Sequence, residues 1–80
     1  MKNTNDLENF VNRLSALADR GDDAALFEIA LNTPGAGGRA ASWLSETVKA
    51  RASGNDLREN YCLHGYRDEL KALRNKLAHA

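Results

Sequence analysis

Eighty residues with 42% apolar and 28% charged side chains describe one small globular domain and exclude a disordered chain. Acidic and basic residues balance at eleven each, which argues against the strongly basic surface of a dedicated nucleic-acid binder. The single cysteine, Cys62, has no internal disulfide partner, and no apolar run reaches bilayer length or reads as a signal segment. A cytoplasmic setting without membrane association is therefore expected.

The charges are unevenly placed. Residues 1–40 hold four basic and six acidic side chains, a balance of −2, and residues 41–80 hold seven and five, a balance of +2. Such an asymmetry can steer a partner or orient copies of the chain against each other. A chain this short sits near the lower limit of what one core stabilises, and burying a second face on association adds to it.

In chain order, Leu7, Phe10, Val11, Leu14, Leu17 and Ala18 recur at three and four and predict a first helix. Thr4 or Asn5 caps it and Gly21 stops it. Asp22 or Asp23 caps a second, short helix over Ala24–Leu31, with Leu26, Ile29 and Ala30 inward and Phe27 to one side. Pro34 cannot continue that helix and holds Thr33 out of the α region. The stretch Pro34-Gly35-Ala36-Gly37-Gly38 reads as the one flexible loop. A third helix over Arg39–Ala52 follows, with Ala40, Ala41, Leu44, Thr47 and Val48 as a narrow apolar face and Trp43 beside it.

Ser53-Gly54 ends the third helix, and Asn55 or Asp56 caps the last, with Glu59 where a capping box reaches back. Gly65 interrupts this helix at a cost of about 1 kcal/mol relative to alanine. Either one long helix with a kink near Gly65 or two helices broken there would satisfy the pattern. One helix is the simpler reading, because nothing nearby acts as a proline-type stop. Beyond Gly65, Tyr66, Leu70, Leu73 and Leu77 form a seam spaced four, three and four. The expected fold is all-α: a bundle of about four helices with the long C-terminal helix as its spine and the N-terminal helix as its main partner.

Chemistry-bearing residues gather toward the end of the chain. Arg74-Asn75-Lys76-Leu77-Ala78-His79 resembles the Arg-x4-6-His signature of the HEPN ribonuclease superfamily, all-α domains that often pair across a two-fold axis. The resemblance implies that His79 acts in cleaving RNA at a ribose 2′-hydroxyl, while Arg74 and Asn75 position the phosphate. An imidazole that titrates near neutrality and a guanidinium that forks onto phosphate suit those roles. The other reading of the same residues is a last helical turn whose cations complement the helix dipole.

Arg67, Lys71 and Arg74 form a basic ridge that is either a stripe for phosphate or an acidic partner, or a solvated flank. Gly37, Gly38 and Arg39 open a helix and could hold an anion on backbone N–H groups, or simply let two helices turn. A helix-turn-helix reading finds little positive charge in Ser42, Ser45, Glu46 and Lys49. Cys62 and His64 lack a second pair to complete a metal site, and no catalytic dyad or cofactor motif occurs.

These residues point first to a non-enzymatic interaction module, an inhibitor or adaptor that covers a partner's surface and self-associates. Trp43, Tyr66, Leu70, Leu73 and Leu77 are its expected contact residues, with a protein partner or a second copy as ligand and no cofactor. The alternatives are a minimal HEPN-like ribonuclease or RNA binder using Arg74, Asn75 and His79, and nucleic-acid binding through the basic flank.

Overall fold

Four α-helices and no strand make up the structure, a computed structural model that describes residues 4–79: α1 (Thr4–Asp19), α2 (Asp23–Asn32), α3 (Gly35–Ala52) and α4 (Asp56–Ala78). The all-α bundle and its long C-terminal helix follow the sequence expectation.

Local punctuation sets the boundaries. Asp22 caps α2, its Oδ1 accepting from the Ala25 N–H at 3.1 Å, and Asn55 caps α4 by accepting from the Arg58 N–H at 3.1 Å. With Asn55 as the cap, Glu59 lies one residue beyond the capping-box position, and its carboxylate accepts instead from Arg51 Nε at 3.0 Å. α1 and α3 end in the same way. Gly21 and Gly54 take φ of +70° and +71°, and the next residue's N–H reaches back to Leu17 and Ala50, both at 2.9 Å. α1 already includes Thr4 and Asn5, so the residue that caps it lies outside the described residues.

Two expectations are corrected. The glycine-rich stretch is not a loop. Pro34 is the N-cap of α3, and Gly35, Ala36, Gly37 and Gly38 form its first turn. Gly38 explains why: a Cβ there would run into the Thr33 carbonyl and stand 3.0 Å from the Ala30 carbonyl. Glycine therefore lets the start of α3 press onto the backbone end of α2.

The spine is α3, not α4. It packs between α2 and α4, and nine of its eighteen residues are buried, most of them small. Small side chains let two neighbours approach one helix from both sides, which a Leu-rich helix of the same length would prevent. α4 runs antiparallel to α3, pairing Arg39 with Glu69 at one end and Arg51 with Glu59 at the other. Gly65 does not break α4. Trp43 lies over it so closely that a Cβ would enter the indole ring, and the helix continues to Ala78.

α1 covers one face of this α2–α3–α4 layer. Leu14, Leu17 and Ala18 meet Leu26 from α2, Ala40, Ala41, Leu44 and Val48 from α3, and Tyr66 and Leu70 from α4 in one core. At about 100° per residue, the opposite side of α3 carries Arg39, Ser42, Glu46 and Lys49, and no helix lies over it among the described residues.

Candidate interaction surface

Ridges of large apolar side chains flank that uncovered side of α3. On α2, Phe27 and Leu31, one helical turn apart, are 49% and 70% exposed. The reason is compositional: among its ten residues only Asp23 and Glu28 are charged, so α2 is apolar on more than one face and Leu26 alone is fully buried. On α4, Leu57 and Tyr61 are likewise a turn apart and exposed at 85% and 61%. Tyr61 stands edge-on to Trp43 with ring centroids 5.7 Å apart, and Trp43 itself is half-buried.

Between these ridges the side chains of α3 are charged and paired. Glu46 lies 3.5 Å from Lys49 and 3.8 Å from Arg58, and the Lys49 ammonium sits 5.8 Å from the centre of the Phe27 ring. Arg39 donates its Nε to Glu69 at 2.6 Å. These pairs are exposed, so each contributes at most about 1 kcal/mol, and their effect is to fix side-chain positions on the face.

Two grooves meet at the first turn of α3. The larger, about 540 Å³, runs between that turn and the end of α4, over Ala36, Ala72, Leu73 and Leu77. A shallower one of about 330 Å³ lies against Phe27 and Leu31. Thr33, Gly35 and Arg39 line both, so the two grooves adjoin there as a track of two parts.

The residues singled out in the sequence fall into separate places. Trp43 borders the exposed face, but Tyr66 and Leu70, at 8% and 6% exposure, belong to the protein's own core, where α1 and α3 cover them. Leu73 and Leu77 are half-buried and line the larger groove. Gly37 and Gly38 are buried by helix packing, so their backbone forms no open anion loop, and Arg39 is engaged by Glu69. Arg67 and Lys71 are exposed and make no ion pair among the described residues.

Arg74 and Asn75 are exposed on the last turns of α4, and His79 is its C-cap, the backbone N–H donating to the Asn75 carbonyl at 3.2 Å. Five helical positions turn Arg74 and His79 about 140° apart, so one copy does not aim them at a common point. Cys62 is fully buried and His64 exposed, and no cluster of three or more metal-ligating side chains occurs among the described residues. No described helix is long and apolar enough to cross a membrane.

One buried polar group stands out. The Tyr66 hydroxyl has no hydrogen-bond partner of ordinary geometry among the described residues. Burial pushes its pKa above the ordinary 10.0, while the Ser15 hydroxyl and the Arg74 guanidinium act on it in the opposite direction.

Phe27, Leu31, Leu57 and Tyr61 were not among the expected contact residues. Their signal in the sequence was the all-round apolarity of α2 and a four-residue spacing on α4 that lies off the Tyr66 seam. Comparison of the chain with family models, with curated proteins and with solved structures gives no match.

Proposed function

We propose that this protein is a non-enzymatic helical interaction module that works by laying the uncovered face of its α2–α3–α4 layer on another protein surface. One observation carries the reading: Phe27, Leu31, Leu57 and Tyr61 stand in solvent although a separate, well-filled core already holds the fold together. Large apolar groups grouped beside a half-buried tryptophan are the composition of an interface core. The charges between the ridges, already tied into pairs, lose little side-chain freedom on docking. An inhibitor or adaptor acting by surface coverage fits this arrangement, and a second copy of the chain is one surface it would cover.

The test is solution mass by sedimentation equilibrium together with capture on immobilised protein. A mass above the monomer, or a specific partner, is expected, and either is lost in Leu31→Asp and Tyr61→Asp, two exposed sites outside the core. A wild-type chain that stays monomeric and retains no partner sinks the reading.

A second reading is favoured by one different observation. Arg39, Lys49, Arg51 and Arg58 all have carboxylate partners, whereas Arg67, Lys71 and Arg74 follow one another at exposed positions of α4 without an ion pair among the described residues. Free cations at helical spacing suit a phosphate backbone, in keeping with an RNA-binding or HEPN-like role. In that role, a second copy would have to bring His79 to Arg74. Binding of a single-stranded RNA should then weaken steeply with salt, with a shallower slope in Lys71→Ala. Affinity indifferent to salt removes this reading.

A further inference from the structure

We propose that the track formed by the two grooves at the first turn of α3 receives an acidic amphipathic segment of another protein; this rests on the interaction reading above and names the partner's chemistry. The track is apolar along its floor, with Leu73 and Leu77 in the larger groove and Phe27 and Leu31 along the smaller. Its charged lining residues are Arg39 and Lys76, and no carboxylate lines either groove. The other clefts described each include at least one: Glu28 between α1 and α2, Asp19 and Asp23 beside the α1–α2 turn, and Glu8 in the cleft that Arg74 also lines. The track is thus set apart both by its apolar floor and by the sign of its edge.

Charge complementarity selects the occupant. Lys76 makes no ion pair among the described residues, and Arg39 gives only its Nε to Glu69, so its terminal guanidinium nitrogens remain donors there. A purely apolar occupant would strip water from the Lys76 ammonium and from the side of the Arg39 guanidinium that Glu69 leaves open. Carboxylates beside the apolar side chains would supply the missing acceptors while those side chains settle on Leu73 and Leu77. A second copy docked through the same track about a two-fold axis would set cation against cation, because the charged lining residues, Arg39 and Lys76, are both basic. The floor is also low. Gly35 and Ala36 let a foreign backbone lie close, so the glycine-rich turn serves the track as well as the packing of α3 on α2.

The probe is a blocked synthetic peptide of about 16 residues, long enough to form a helix, with leucines four apart and glutamates alongside; its twin carries lysines in place of the glutamates. Fluorescence anisotropy with the intact protein should show the Leu/Glu peptide binding at least about tenfold tighter than its twin. Lys76→Glu, at an exposed site, should cost about tenfold, and Lys76→Ala less. Equal affinity for the twin, or full affinity in Lys76→Glu, overturns the proposal, as does a homodimer that competes the peptide away. Failure here is separable from failure of the broader reading. Tyr61 lies outside the track, so capture that Tyr61→Asp abolishes and Lys76→Glu leaves intact would refute the track alone.

Discussion

The α2–α3–α4 layer has one face under α1 and one with no helix over it, and the two are built from different side chains. The covered face is aliphatic and close-fitting, with Leu14 and Leu26 fully buried and Ala40 and Ala41 admitting them. The uncovered face mixes large apolar groups with paired charges. A domain of this length has a stability of only about 4–12 kcal/mol, so the placement of each large side chain matters. Leu31 and Leu57 contribute little to the isolated fold where they stand. The contrast separates residues that hold the molecule together from residues available to something else.

The largest expected effect tests that separation directly. Leu14→Ala should cost about 3 kcal/mol through lost burial and a residual cavity, whereas Leu31→Ala should stay within about 0.5 kcal/mol of wild type. Urea denaturation measures both, and equal losses would break the contrast. A smaller effect is expected where the uncovered face touches the frame. Gly65→Ala forces the indole of Trp43 aside; overpacking of about 1–3 kcal/mol is offset by about 1 kcal/mol of improved helix propensity, leaving about 1 kcal/mol of net destabilisation. Tryptophan emission should shift to longer wavelength as the ring moves into water.

The smallest effect sharpens the account of the covered face. Tyr66→Phe removes a buried hydroxyl that makes no hydrogen bond of ordinary geometry among the described residues, so stability at neutral pH should be unchanged or slightly raised. The wild-type phenol is held protonated by burial, its folded pKa lying above the unfolded value near 10. Its contribution is complete below pH 10 and declines as pH rises from there through the folded pKa, because the unfolded chain ionises first. Denaturation midpoints of wild type and Tyr66→Phe should therefore diverge only above about pH 10, with the variant the more stable.

Helix number, order and most boundaries were legible because local signals carry them: Asp22 and Asn55 as caps, Gly21 and Gly54 as stops, and Pro34 between α2 and α3. The centrality of α3 was not. Its small residues look weak in a count of apolar character, and their value appears only when two helices close on them. The role of Gly38 was hidden for the same reason, since it depends on a carbonyl that folding brings near. For the surface, Tyr66 and Leu70 were assigned outward, yet both are buried. Periodicity reveals an apolar stripe without saying whether the chain's own helices or a foreign one will cover it.

Cys62 is the chain's one thiol, and on α4 it is sealed at zero exposure. A maleimide or disulfide reagent can reach it only during an opening of the bundle, so its labelling rate reports how often the bundle opens. Added partner, by holding the bundle closed, would slow that clock by a measurable factor. The sulfur thus offers a built-in gauge of occupancy that requires no dye on the docking face itself.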